Sequence, residues 1–298
     1  MSYIGVTLDE LIQIKTLYSV HYFEYMSDFS FGGESHDFWE FIYVDKGEVG
    51  ITADTAKHIL KKGEIAFHKP NEFHDVTATG YSAPNLIVVS FQCTSPYMSF
   101  FENKILKIEH PERQLLANII LEAQNCFEGS LNDTYQTTLI EKHDVFAGKQ
   151  LIRNYLEQFL LHIIRRYDHT SSLYKDLAKT PKASVDSDIF DRVTAYLDAN
   201  IRCKLSIDQI CRANLIGRSQ LQKLFNDKTG LGVIDYFSKL KIESAKELIR
   251  MNKMNFTQIS EYLGYSSIHY FSRQFKKIAG MTPSEYASSI KALTNRKF

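Results

Sequence analysis

The sequence has little of what marks secreted, redox-active or membrane-spanning chains. It holds four cysteines, Cys93, Cys126, Cys203 and Cys211, and none forms a C-x-x-C pair. That spacing excludes a zinc ribbon and a thiol-redox motif, and buried, reduced thiols of a cytoplasmic protein are expected instead. Long apolar runs are missing too. Stretches such as Leu86–Phe91 and Phe159–Ile164 fall far short of the ~20 residues a membrane helix needs. Asp9, Glu10 and Lys15 interrupt the start of the chain, which argues against a secretory signal. Net charge is also absent, with 35 basic residues against 35 acidic ones. What is present is an ordinary globular composition, 44% hydrophobic, and 298 residues give room for two domains.

The zero net charge hides a division. Residues 1–185 carry 17 Lys and Arg against 24 Asp and Glu, whereas residues 186–298 carry 18 against 11. An acidic half joined to a basic half points the basic half toward a polyanion.

The acidic half begins with short β-rich segments. Phe38–Val44 is aromatic and β-branched and ends at Asp45-Lys-Gly47; Glu48–Thr52, Glu64–Phe67 and Asn85–Phe91 follow. Closely spaced short strands predict a small antiparallel barrel over residues 1–110. The period then changes. Arg113–Phe127 places Leu115, Leu116, Ile119, Ile120 and Ala123 at helical spacing, and Lys149–Tyr167 carries a broad apolar stripe from Leu151 to Ile164. Residues 111–170 are therefore read as a helical region. Asp168–Asp188 is rich in Ser, Thr, Lys and Asp and contains Pro181, so a solvated linker is expected at 171–187.

The basic half, 188–298, contains an internal repeat. Leu221, Phe225, Gly230 and Tyr236 recur 50 residues later as Phe271, Phe275, Gly280 and Tyr286. Ile207, Ile210 and Cys211 recur 49 residues later as Phe256, Ile259 and Ser260. Each copy reads as helix, tight turn, helix. Ser206-x-x-Gln209 and Asn255-x-x-Gln258 are capping boxes that open the first helices. In copy one the apolar face is read as Ile207, Ile210, Cys211 and Leu215, and Gly217 opens the second helix. In copy two Gly264 is a helix stop, and Ser266 or Ser267 caps the next helix. Thr282-Pro-Ser-Glu285 opens a final helix, with Pro at its first turn. Ile234–Met251 joins the copies as one continuous helix of ~27 Å, near the spacing of successive major-groove faces. Arg218 stands at the head of one second helix, and Ser219, Gln222, Lys223 and Asn226 line its outward face. His269, Ser272, Arg273 and Lys276 line the outward face of the other. Gln suits adenine, and Arg and Lys suit guanine, in the major groove.

Residues ~190–287 resemble the DNA-binding domain of the AraC/XylS family of transcription regulators. The carrying segments are Leu205-Ser-Ile-Asp-Gln-Ile210, Leu221-x-x-Leu-Phe-x-x-Lys-Thr-Gly230 and Lys241-Ile-Glu-Ser-Ala-Lys-Glu-Leu-Ile249, with the long string from Ile259 to Tyr286. The resemblance implies seven helices, promoter DNA as partner, and base-facing positions at Ser219, Gln222, Lys223, Ile268, His269, Ser272 and Arg273. Gly217 and Lys241 depart from the residues usual there, Ser and Arg. In the acidic half, His36-Asp-Phe-Trp-Glu40 and Gly63–Phe67 with Pro70–His74 resemble the two motifs of the cupin barrel, with Phe38 where metal-binding cupins have a histidine. No metal or other cofactor is expected with that ligand missing. The family resemblance instead implies an effector-sensing pocket, with a sugar or related metabolite as ligand. The candidates for it are His36, Trp39, Glu40, Tyr43, His68 and His74.

The expected protein is therefore an α+β, two-domain chain: a cupin-like antiparallel β-barrel with dimerisation helices, then an all-α domain with two helix-turn-helix units. It would be a cytoplasmic homodimer that binds promoter DNA, works with RNA polymerase as an activator, and catalyses nothing. The alternative is a metal-dependent cupin enzyme with a DNA-binding appendage.

Overall fold

A computed structural model describes residues 3–133, 136–143, 145–167 and 181–294. The chain divides into two compact units, Met1–Ser171 and Ser172–Phe298.

The first unit is built from nine antiparallel strands in two sheets. One sheet runs β1 (Thr16–Glu24), β8 (Asn85–Gln92), β3 (Trp39–Lys46), β6 (Glu64–His68), β9 (Ile105–Lys107). The other runs β2 (Ser30–Glu34), β7 (His74–Ala78), β4 (Glu48–Ala53), β5 (Ala56–Lys61). The sheets face each other across an apolar layer containing Ile42, Val44, Leu86 and Val88 from one and Val49, Ile51, Leu60 and Val76 from the other. This is the expected antiparallel cupin-like domain. The turn at Gly47, with φ +72°, brings β3 directly into β4.

Strands β3 and β8 are buried on both faces, which is why they read as continuous apolar runs rather than alternations. Their second face meets two helices, α1 (His110–Cys126) and α2 (Gly148–Tyr167). Phe41, Phe91 and Phe159 are wholly buried there with Leu116, Ile119, Leu156 and Ile163. Each such side chain contributes roughly 1.5–3 kcal/mol of transfer free energy. The stripe on α2 is thus largely covered within the unit. Arg166 on α2 donates to the buried Glu112 carboxylate on α1 at 2.8 Å, fixing the helix pair. Leu121 and Leu161 remain exposed on these helices.

The second unit is helical. Its elements are α3 (Pro181–Ala199), α4 (Ile207–Asn214), α5 (Arg218–Thr229), α6 (Val233–Met251), α7 (Phe256–Tyr262), α8 (Ile268–Ala279) and α9 (Pro283–Thr294), seven helices among the described residues. The linker expected at 171–187 lies outside the described residues for 171–180. From Pro181 onward the expectation needs correction, because the chain is already helical there. Proline breaks a helix interior but fits the first turn, where its missing N–H has no partner to lose.

Three capping boxes form as read: Ser206 with Gln209, Asn255 with Gln258, and Thr282 with Glu285. Ser267, rather than Ser266, caps α8 by accepting from the Tyr270 amide. Leu215 is a correction. It belongs to no apolar face but sits in the left-handed region at φ +51° and is 94% exposed, while its neighbour Ile216 takes the buried place. The cysteines also differ from expectation. Cys93 and Cys126 are buried, but Cys211 is half-buried and Cys203 exposed, since the latter sits on the turn between α3 and α4. No helix among the described residues is long and apolar enough to cross a membrane.

Candidate effector pocket and nucleic-acid interface

Strand alternation decides which candidate residues of the barrel meet. On β3, Glu40, Ile42 and Val44 face the second sheet, while Trp39, Phe41 and Tyr43 face the helices. Trp39 and Tyr43 are therefore corrected out of the pocket: both are buried in the helix-side core. Tyr43 instead lines a cavity of about 330 Å³ between the sheet and α1, beside Tyr22 and Arg113. Burial, then the charge of Asp45, pushes the Tyr43 hydroxyl up to about 12.

The other four candidates come together. Glu40 pairs in register with His68 on β6 and with Ser90 on β8. Ser90 Oγ donates to Glu40 Oε2 at 2.6 Å. His74 Nε2 lies 3.4 Å from Glu40 Oε1, and His36 Nε2 lies 3.7 Å from Glu40 Oε2. His68 stacks on His74, with ring centroids 4.4 Å apart, and its Nδ1 meets Glu72 Oε2 at 2.9 Å. His36 stacks on Phe38 at 3.8 Å, and Tyr18 covers the far face of Phe38 at 4.0 Å. The aromatic residue in the place of a cupin histidine thus acts as a wall that orients His36.

The charges in this pocket hold one another. Burial works to raise the Glu40 carboxyl, but pairing with His36 and His74 outweighs it and holds Glu40 well below the usual carboxylate range. Burial works to lower His74, and the Glu40 carboxylate outweighs it in turn, so the His74 imidazole is raised. The result is a buried polar cluster in a barrel interior lined mostly by apolar side chains. It offers imidazole nitrogens and carboxylate oxygens to a hydroxyl-rich or cationic ligand.

Two contributors escaped the sequence reading. Ser90 is the one polar residue inside the run Leu86–Phe91, which was a usable signal. Glu34 is opposite His74 in register, its Oε1 4.0 Å from His74 Nε2. Its placement depends on Gly33 at φ +93°, where a Cβ would stand 2.4 Å from the Phe73 ring and 2.8 Å from the His74 carbonyl oxygen.

In the helical unit, Leu221, Leu224 and Phe225 turn α5 inward onto Val193, Leu197, Ile210 and Phe237. Phe271 and Phe275 do the same for α8. The opposite face of α5 leaves Arg218, Ser219, Lys223 and Asn226 exposed and Gln222 half-buried. On α8, His269, Arg273 and Lys276 are exposed, and Ile268 and Ser272 are half-buried. Arg218 lies 4.0 Å from Asp208 with both side chains about two-thirds exposed, a weak pair that leaves its charge available.

Lys241 on α6 ties the two copies together. Its buried ammonium donates to the Cys203 carbonyl ahead of α4 at 2.8 Å and to the Leu263 carbonyl at the end of α7 at 2.6 Å. Burial lowers its pKa.

A strand-built pocket domain followed by paired helix-turn-helix units defines a ligand-sensing, DNA-binding regulator. Residues 16–92 match the model of the AraC-like ligand binding domain, and residues 210–289 match that of a helix-turn-helix domain. The two matches give the domain order of AraC-type transcription regulators, a ligand-binding domain followed by a helix-turn-helix domain.

The relatives are regulators by name. The HTH-type transcriptional activator RhaR of Pectobacterium carotovorum is 23% identical over 252 residues, covering 84% of each chain. The RhaR of Mannheimia succiniciproducens is 26% identical over 131 residues, 44% of each chain. The xylose operon regulatory protein of Escherichia coli is 30% identical over 132 residues, 44% of this chain and 31% of that protein. The last two similarities thus span less than half of the relative's own length.

Proposed function

We propose that this regulator activates transcription by seating α5 and α8 in successive major grooves of promoter DNA, under the control of a metabolite held at the polar cluster of the barrel. The observation that carries the reading is the duplication. Two helices of equal length, Arg218–Thr229 and Ile268–Ala279, each bury an aromatic face and expose a polar one. A 19-residue helix, about 28 Å long, joins the copies. Arg218, Ser219, Gln222, Lys223 and Asn226 form one reading face; Ile268, His269, Ser272, Arg273 and Lys276 form the other. The basic balance of residues 186–298 supplies the phosphate attraction.

The effector contacts His36, Glu40, His68 and His74. The relative named as the xylose operon regulatory protein supports a carbohydrate, whose hydroxyls suit such donors and acceptors. We draw the sensing barrel at 1–110, a helical dimerisation region at 111–170, and the DNA-binding domain from Pro181. The exposed Leu121 and Leu161 support α1 and α2 as the homodimer contact. RNA polymerase is the partner of an activator so placed, the setting is cytoplasmic, and the chain is not an enzyme.

The test is binding of the full chain to its own upstream promoter DNA at low ionic strength. Affinity falling steeply with salt, and changing when a panel of sugars is added, is expected. No binding to that DNA under any of these conditions would overturn the reading.

A further inference from the structure

The barrel histidines have a feature that a hydroxylated effector does not by itself explain. His36 Nδ1 lies 3.0 Å from the Phe38 carbonyl oxygen, and His74 Nδ1 lies 3.0 Å from that of Glu72. A carbonyl oxygen only accepts, so in each ring Nδ1 carries a proton, and Nε2 is the atom turned toward the Glu40 carboxylate. Both Nε2 atoms are buried and have no hydrogen-bond partner among the described residues. His74 is 1% exposed. A buried nitrogen left unpaired costs roughly 1–3 kcal/mol, and native structures rarely keep two side by side without an occupant.

Two carboxylates converge on the same point. One donor atom from each of Glu34, His36, Glu40 and His74 lies within 4.8 Å of all the others. Two ligands of one ion, each at about 2.1 Å, stand up to about 4.2 Å apart. His74 Nε2 falls inside that limit of both Glu40 Oε1, at 3.4 Å, and Glu34 Oε1, at 4.0 Å, and His36 Nε2 lies 3.7 Å from the other Glu40 oxygen. Glu34, whose side chain is 53% exposed, has room to adjust toward the others. The Nδ1 bonds to backbone carbonyls are the outer-shell contacts that fix ligand histidines, and His68 braces His74 by stacking.

We propose that Glu34, His36, Glu40 and His74 bind one divalent first-row transition-metal ion, such as zinc or iron(II). The sequence alone offered His36, Glu40 and His74 as possible ligands but favoured them as pocket lining, and Glu34 completes the set. Two imidazoles with two carboxylates suit that class of ion. Calcium and magnesium want oxygen alone, and copper(I) wants sulfur. A metal-free cluster of ion pairs around Glu40 is the competing arrangement, and it leaves the buried Nε2 atoms of His36 and His74 without an aligned hydrogen bond. The ion would join β2 and β7 of one sheet to β3 of the other. The inference does not depend on the DNA-binding reading: a chain that takes up the ion and ignores DNA would lose only the latter.

The experiment uses the full chain, stripped with a chelator and dialysed against zinc or cobalt(II), with bound metal measured by atomic emission and the cobalt spectrum recorded. One ion per chain is expected, together with a raised melting temperature and no displacement by millimolar magnesium or calcium. His36→Gln and His74→Gln should each weaken binding about 100-fold, and Glu34→Gln at least about 10-fold. Glu34 is exposed, so its variant folds whatever the buried ones do; His58→Gln, on the exposed face of β5, is the unaffected control. Uptake well below one ion per chain, or uptake that Glu34→Gln and His74→Gln leave unchanged in folded protein, would overturn the proposal.

Discussion

The two helix-turn-helix copies use the same backbone device under different constraints. Leu215 and Gly264 occupy equivalent places after the first helix of each copy, and both have positive φ, +51° and +69°. In copy two a Cβ on Gly264 would stand 2.2 Å from the Arg202 carbonyl oxygen, so only glycine fits. In copy one the same place points into solvent, and leucine is accepted at the cost of left-handed strain. Second-helix capping differs as well: Ser267 caps α8 with its side chain, while Gly217 offers α5 none. Copy two is thus locked by close packing and caps, and copy one is looser at its turn. A repeat preserves the shape of the turn, but its surroundings decide which residues can make it.

The largest effect should come from Gly264→Ala. Backbone overlap with Arg202 and the positive φ together should destabilise the helical unit by roughly 2–4 kcal/mol in chemical denaturation. Leu215→Ala should be nearly neutral. Equal losses from the two would erase the contrast between the copies.

Lys241→Met comes next, because it leaves the Cys203 and Leu263 carbonyls without their shared donor. A loss of about 1–3 kcal/mol is expected. The pH dependence has a definite sign. Burial lowers the folded-state pKa of Lys241 below its ordinary 10.5, so the unfolded chain holds the proton more tightly. Stability of the native protein should rise with pH between the folded value and 10.5, relative to the methionine variant. A parallel pH profile for the two would remove Lys241 from this role.

Smaller shifts should separate reading from gripping. Arg273→Ala should weaken binding to the cognate site by about 1–3 kcal/mol and relax preference at one base, whereas Lys276→Ala should weaken all sequences alike and reduce the salt slope by about one. Measured affinities on cognate and scrambled duplexes at several salt concentrations decide this. Identical behaviour of the two variants would make Arg273 a phosphate contact. The smallest change, Leu215→Gly, should stabilise copy one by up to about 1 kcal/mol, as relief of strain outweighs added chain entropy. A lower melting temperature instead would mean that the leucine contributes more than its exposure suggests.

Much of the helical unit was legible in advance because its signals are local. A capping box spans four residues, and the inward faces of α5 and α8 follow from helical period alone. The pocket was less legible because its geometry is not local. His36, Glu40, His68 and His74 were recognisable as residue types, but only register places Glu40 opposite both His68 and Ser90. Trp39 and Tyr43 were wrongly grouped with them, since a strand buried on both faces hides which alternation faces the pocket. Glu34 was missed because its position depends on Gly33 letting β2 lie against Phe73.

The sequence by itself determined the duplicated unit, its caps, its polar outward faces and the change from strand to helix near residue 110. These depend on periodicity and on contacts within a turn or two of the chain. Tertiary structure alone decided that Gly264 is irreplaceable while Leu215 is tolerated, and that four ligand-type side chains from both sheets converge inside the barrel. Such outcomes turn on the distance between segments far apart in the chain, and residue order does not encode that distance locally.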